Sequence, residues 1–319
     1  MESHLKQNPC PDRKIQGTGH SASGFSRDTD IGYIRRLVAQ GGPREEDDNE
    51  LSAWMARAYA FAIADQLSEQ DKTEVLNAFG EAMSLQTMQG FALNKPHGYA
   101  GDFEIMDRIY QHHVSSDPAL ANWDRCFHRQ AAPKAVCNRK TYFHRLLDHH
   151  AATGSPRILK VGVGSGRSMF EWLSANPSSK AVFDCVEIDP NAVQFATELN
   201  RPFLDRIQFI RKNCLKWQPM QQYELIWAAG IFDYFDDATF KQMLQRLFDA
   251  LAPNGELVIG NFANTNPSRP HMEFCLQWIL HHRSADQLVS LAMQCGIPRG
   301  RIAIGCEQLG VNLFLHVSP

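Results

Sequence analysis

The feature that most constrains what this chain can fold into begins at Ser155-Pro156, where apolar runs of strand length start to alternate with helical segments. The runs are Arg157–Val163, Ala181–Ile188, Ile207–Arg211, Glu224–Ala229 and Glu256–Asn261, and the helical segments between them are roughly Ser168–Ala175, Asn191–Asn200 and Ala238–Leu251. Strands that alternate with helices at this spacing are joined by crossovers, and crossovers make neighbouring strands parallel. The expected architecture is an α/β domain with a mostly parallel, doubly wound sheet. The last two runs, Arg301–Gly305 and Val311–Val317, are separated by a short glycine-containing link. So short a link predicts an antiparallel hairpin closing one sheet edge.

Two strand ends carry ligand-binding signals. The first leads into Val161-Gly162-Val163-Gly164-Ser165-Gly166-Arg167-Ser168. Glycines at alternate positions allow a sharp turn and a close approach of backbone to ligand. The second ends in Glu187-Ile188-Asp189-Pro190. That places an acid about 20 residues beyond the glycines, as recognition of a ribose requires. By themselves, these two signals serve NAD and S-adenosylmethionine equally.

Open α/β sheets bind ligands beyond the carboxyl ends of their strands. After the fourth strand come Phe232-Asp233-Tyr234-Phe235-Asp236-Asp237. Phe232 and Phe235 read as core, and Asp236 or Asp237 as the cap of the next helix. Asp233 and Tyr234 are left as candidate catalytic groups. Asn261 ends the fifth strand, with Met272-Glu273-Phe274, Trp278 and His281-His282-Arg283 after it. Asn261, Trp278 and His281 are candidate substrate contacts. The histidine pair also fits a solvated helix end, where positive charge complements the helix dipole.

The residues ahead of the sheet differ in kind. Residues 1–28 are polar, without periodic apolar positions, and read as a disordered tail. Residues 29–150 read as a helical unit, in which Leu51, Trp54, Met55, Tyr59, Ala62 and Ile63 recur at three- and four-residue steps. One loop interrupts it, Lys95-Pro96-His97-Gly98-Tyr99-Ala100-Gly101-Asp102. A plain turn needs only Gly or Pro, whereas function concentrates on loops held by rigid scaffolds. His97, Tyr99 and Asp102 therefore join the catalytic candidates. Residues 151–319 form the ligand-binding domain.

A formal net charge of −3 over 319 residues lacks the concentrated basic surface that a nucleic acid or anionic membrane demands. The expected partner is a small-molecule substrate. No run of about 18 apolar residues is present to span a membrane, and the N-terminus has no apolar signal region. The eight cysteines are scattered and form no C-x-x-C pair. They read as reduced thiols with no metal site, in a cytoplasmic protein.

Three features favour S-adenosylmethionine over NAD. The glycine strand sits behind a helical unit, the spacing is G-x-G-x-G rather than G-x-G-x-x-G, and a hairpin replaces a second mononucleotide-binding half. Together they resemble class I S-adenosylmethionine-dependent methyltransferases over residues 155–319. The resemblance implies a Rossmann-like, seven-stranded sheet and S-adenosylmethionine as cofactor. By position it implies that Gly162, Gly164 and Gly166 line the methionine moiety. Glu187 would hold the ribose hydroxyls with Asp189 nearby, Asn213 and Cys214 would adjoin adenine, and Ala229 and Gly230 would lie under the sulfonium. Asn213 stands where that family often has an acid. Arg139 is the candidate partner of the cofactor's carboxylate, whose shape a guanidinium matches.

A narrower resemblance covers residues 90–290. The Lys95–Asp102 loop, Cys137-Asn138-Arg139-Lys140, Ala229-Gly230-Ile231-Phe232-Asp233-Tyr234 and the stretch from Met272 to Arg283 resemble a bacterial group. Its members are described as biosynthesis proteins for the methyl ester of 3-hydroxypalmitic acid. It implies carboxyl O-methylation beneath a helical N-terminal lid. The azetidine-2-carboxylate synthases of natural-product pathways share the fold, and they cyclise S-adenosylmethionine with release of methylthioadenosine. The helical cap and its polar loop suit that reaction as well. A non-enzymatic cofactor-binding regulator is a third option, and it has no need of the polar loop.

Overall fold

A computed structural model describes residues 26–152 and 154–319. Most of the expected tail lies outside the described residues, and its last two positions, Arg27 and Asp28, open the first helix. Among the described residues, one compact unit comprises residues 26–134 with 267–279, and the other comprises 135–266 with 280–319.

The first unit is helical: α1 (Arg27–Ala39), α2 (Asp48–Ile63), α3 (Glu69–Asn77), α4 (Met88–Asn94), α5 (Phe103–Tyr110) and α6 (Ala121–Arg129). The helix that carries the periodic residues Leu51 to Ile63 ends at Ile63. Ser68 caps the next helix, its hydroxyl accepting from the Asp71 amide while the Asp71 carboxylate accepts from the Ser68 amide. The core is aromatic, with Trp54 edge-on to Phe79 and to Phe274 at centroid distances of 6.0 and 6.4 Å. Phe274 comes from the distant segment 267–279, which contains one wide helical turn, His271–Cys275. Polar contacts also hold that segment in this unit. Tyr59 donates to Glu273 at 2.5 Å, and His271 meets Gln130 at 2.7 Å.

Helix α7 (Ala131–Ala151) begins in the first unit and continues in the second. The second unit then runs β1 (Arg157–Val161), α8 (Arg167–Ala175), β2 (Val182–Glu187), α9 (Pro190–Leu199), β3 (Ile207–Arg211), β4 (Tyr223–Ala229), α10 (Asp237–Phe248), β5 (Leu251–Phe262), α11 (Ala285–Gln294), β6 (Ile302–Cys306) and β7 (Asn312–Val317). The strand order is β3-β2-β1-β4-β5-β7-β6. Pairings from β3 to β5 are parallel, and β7 is antiparallel to β5 and β6. This is the seven-stranded, doubly wound sheet with the expected terminal hairpin. The order reverses beside β1, which opens a crevice between the tips of β1 and β4.

Both sheet faces are buried. Tyr142, Phe143 and Leu146 of α7 and Trp172 of α8 cover Ile158, Phe183 and Phe314. Phe240 and Leu244 of α10 and Leu288 of α11 cover Leu159, Ile226 and Ile259 on the other face. Burial on both sides explains why the strands read as continuous apolar runs. Three ends differ from the sequence expectation. β1 stops at Val161 because Gly162 turns the chain with φ of 72°. Leu251 pairs with Tyr223 and so belongs to β5, and Pro253 cannot extend a helix, so α10 ends at Phe248. Helix α11 was not among the expected helices; it starts where Ser284 and Gln287 cap each other's backbone amides.

Among the described residues the seven cysteines are free thiols, no helix is long and apolar enough to cross a membrane, and no group of three or more His, Cys, Asp or Glu is placed to hold a metal ion.

Candidate functional site

The site grows from the turn between β1 and α8. A Cβ on Gly162 would lie 2.2 Å from Cγ2 of Ile231, in the loop after β4, so only glycine lets the two loops meet. A Cβ on Gly164 would meet nothing within 4 Å and would project into open space. Gly166 lets α8 lie against α9, where a Cβ would come within 3.0 Å of Ala196. The end of β2 is tied to this turn. Glu187 accepts from the Gly164 amide at 3.1 Å with one oxygen, and from the amides of Ile188 and Asp189 at 2.9 and 3.2 Å with the other. Ile188 is 60% exposed beside it. Asp189 accepts from the Asn191 amide at 2.8 Å, so that oxygen caps α9. Asn213 accepts from the Leu215 amide at 2.9 Å and shapes the turn after β3, and burial raises the neighbouring Cys214 thiol.

The tips of β4 and β5 form the other side. Ala229 ends β4. A Cβ on Gly230 would stand 3.4 Å from both terminal nitrogens of Arg139, so the buried guanidinium of α7 sits against this glycine. Asp233 is buried and accepts from the Phe262 amide at 2.6 Å. Burial pushes its carboxyl up to about 6, against the pull of that amide and of the Arg139 and Arg283 charges. Its backbone carbonyl accepts from the His281 amide at 2.7 Å. Tyr234 is 40% exposed.

Asn261 lies near the end of β5. It is fully buried, and its amide nitrogen donates to the carbonyls of Phe262 and His281 while its oxygen accepts from Arg283 at 2.9 Å. Arg283 also donates to the Phe235 carbonyl at 2.6 Å and to Asp237 at 2.9 Å. Asn261 thus ties the end of β5 to the stretch that carries His281 and Arg283. Of the histidines, His281 is exposed, and His282 meets Asn266 at 3.2 Å.

The remaining candidates lie in the helical unit. Asp102 accepts from the amides of Glu104 and Ile105, both at 2.9 Å, and caps α5. Its side chain is buried. His97 meets Glu104 at 3.0 Å and packs against the Phe103 ring at a tilt, with centroids 4.4 Å apart. Tyr99 is 38% exposed. Lys95 donates to the Gln277 carbonyl at 2.9 Å, joining this loop to the segment that carries the buried Trp278.

Three residues escaped the sequence reading. Arg283 looked like part of a basic cluster, and Ile188 looked like strand. Lys160, at 6% exposure in the middle of β1, was hidden inside an apolar run. A cation set between the apolar Leu159 and Val161 was the available signal.

Sheet order, glycine turn and the acid ending β2 define a class I S-adenosylmethionine-dependent methyltransferase domain. Residues 158–255 match a family described as a methyltransferase domain, and S-adenosylmethionine is the cofactor of this domain. The residues present fit it, since Gly164 faces open space, Ile188 offers an apolar surface and Glu187 offers a carboxylate. A malonyl-[acyl-carrier protein] O-methyltransferase from Ilyobacter polytropus is 28% identical over 36% of this chain and 41% of its own length. A tRNA1(Val) (adenine(37)-N6)-methyltransferase from Shewanella loihica is 31% identical over 33% of this chain and 51% of its own. The chain thus spans about half or less of these curated relatives. A solved structure, described as a "possible exported protein" from Bordetella parapertussis, matches with a TM-score of 0.58 at 17% identity, over 92% of this chain and 97% of that one. At that identity it speaks for the fold alone.

Proposed function

We propose that this protein is an S-adenosylmethionine-dependent methyltransferase whose acceptor is a carboxylate oxygen of a small molecule, within the wider class of oxygen and nitrogen acceptors. The observation that carries the reading is the state of the polar groups at the tips of β4 and β5. Asp233 and Asn261 are buried and bonded to backbone, so these tips supply shape and charge rather than an open proton acceptor. A carboxylate arrives already ionised and needs positioning and desolvation, whereas an amine or hydroxyl needs a base. The O-methyltransferase relative supports the same direction.

The cofactor supplies an electrophilic methyl group on a sulfonium. In this reading Glu187 holds the ribose hydroxyls, Ile188 gives the adenine an apolar surface, and Asn213 and Cys214 adjoin it. The turn at Gly162 and Gly164 leaves room for the methionine part, and Arg139 beside Gly230 pairs with its carboxylate. Tyr234, partly exposed after β4, is the proposed acceptor contact, while in the helical unit Asp102 and His97 shape the loop that carries Tyr99. Free thiols in the described part suit work in the reducing cytoplasm.

The test is to incubate the full chain with S-adenosylmethionine, alone and with a panel of carboxylic acids including hydroxy fatty acids, and to analyse products by mass spectrometry. The expected result is a stable cofactor until an acid is added, then S-adenosylhomocysteine with a methyl ester. His281→Ala should retain turnover. Methylthioadenosine and azetidine-2-carboxylate from the cofactor alone would overturn the reading in favour of a cyclase. Methyl transfer only to an amine or to RNA, with His281→Ala inactive but still binding cofactor, would overturn the carboxylate assignment.

A further inference from the structure

We infer that Lys160 is a positioning residue for the nucleoside site: its ammonium and the Glu187 carboxylate grip opposite sides of one peptide group, Val163–Gly164, and set nucleoside affinity as a coupled pair. The inference rests on the proposed role of Glu187 as the ribose-binding carboxylate.

Lys160 stands in β1 between Cys185 of β2 and Trp227 of β4, flanked in the strand by the buried, apolar Ile158, Leu159 and Val161. Its Nζ donates to the Val163 carbonyl at 2.9 Å. The amide of the next residue, Gly164, donates to Glu187 at 3.1 Å. These two groups belong to the same peptide unit. In a trans peptide the carbonyl and the N–H point to opposite sides, so the plane is held from below by a cation and from above by an anion. The peptide dipole is negative at oxygen and positive at N–H, so both contacts run with it. Both are also charge-assisted, the stronger kind of hydrogen bond.

The arrangement explains why a lysine is kept where an apolar residue would pack. A buried ammonium is costly unless an anion compensates it. Burial depresses Lys160 to about 8, Arg139 of α7 adds to the depression, and Cys185 and Glu187 oppose it. The carboxylate proposed to take the ribose is linked to the lysine through one rigid peptide plane. Neutralising Lys160 frees that plane to rotate and the Glu187 carboxylate to follow it.

A lysine that merely braced the turn would act independently of Glu187, and one that bound the methionine carboxylate would leave methylthioadenosine, which lacks that group, unaffected. The experiment is calorimetric binding of S-adenosylmethionine and of methylthioadenosine to the full chain, to Lys160→Met, to Glu187→Gln and to the double variant. Lys160→Met should weaken both ligands by about tenfold, and by less than about twofold in the Glu187→Gln background. Equal losses in both backgrounds overturn the coupling, and a loss confined to S-adenosylmethionine assigns Lys160 to the carboxylate instead. Should Lys160→Met not fold, the wild-type affinity for methylthioadenosine is followed against pH. It should fall as pH rises through about 8, and the fall should be absent in Glu187→Gln; a flat wild-type profile, or the same fall in both proteins, overturns the inference. Wild-type protein that binds neither nucleoside would sink the methyltransferase reading itself, whereas binding with additive variants sinks this inference alone.

Discussion

At the scale of single residues, two glycines of one turn answer to different demands. Gly162 has φ of 72° and no room for a Cβ, while Gly164 has φ of 58° and open space in front of it. Gly162→Ala is predicted to cost about 1–3 kcal/mol of stability through overpacking, with the Ile231 loop displaced. Gly164→Ala is predicted to cost only about 1 kcal/mol, yet to lose S-adenosylmethionine affinity because the new methyl enters the cofactor space. Denaturant midpoints and calorimetric titration of both variants check this, and equal effects on stability would refute it. Elsewhere residue identity alone leaves the use of a side chain open, for a common reason. Asp102, Asp189 and Asn261 carry short polar side chains, and the group that suits catalysis also suits a helix cap or a loop clamp. Only the partners of their oxygen and nitrogen atoms decide between these uses.

At the scale of elements, the contact of α7 with the sheet holds a buried polar chain. Glu256 of β5 meets His316 of β7 at 2.8 Å and His150 of α7 at 3.3 Å, and His316 meets the Tyr142 hydroxyl at 2.7 Å. Burial by itself would raise the Glu256 carboxyl. Hydrogen bonds from His150 and His316, with their charges, outweigh that and hold it well below the usual carboxylate range. A carboxylate depressed in the folded state contributes stability that is present above its unfolded value of about 4.3 and is lost as pH falls through the folded one. Glu256→Gln is therefore predicted to lower stability at neutral pH by about 3 kcal/mol and to flatten the acid limb below about pH 4. Urea midpoints measured from pH 2 to 8 would show it, and parallel acid limbs in the two proteins would refute it. Strand and helix positions were legible in the sequence because periodicity follows burial. This network was not, because its members lie on three elements far apart in the chain.

At the scale of the whole molecule, the chain returns to its first unit after completing β5. Segment 267–279 gives Phe274 to the aromatic core, Glu273 to Tyr59 and His271 to Gln130. The helical unit is therefore incomplete without residues made more than a hundred positions later. A chain ended at residue 134 is predicted to keep far-ultraviolet helical signal but to lose the near-ultraviolet signal of Trp54 and Trp123 and to bind a hydrophobic dye. Addition of a peptide spanning 267–279 should restore part of the near-ultraviolet signal. Cooperative unfolding and a native near-ultraviolet spectrum without the peptide would refute the dependence.

What the sequence determined by itself was the local and the periodic: the alternation of strands and helices, the antiparallel ending, the glycine turn and the acid one strand away. These follow from burial on two faces and from backbone geometry, both of which act over a few residues. Tertiary structure alone decided which polar groups stay open for chemistry. That choice depends on partners brought together from distant strands, as when Arg283 closes over Asn261 or one peptide plane comes to lie between Lys160 and Glu187. A side chain's chemistry is written in its residue type, but its availability is set by what folding places beside it.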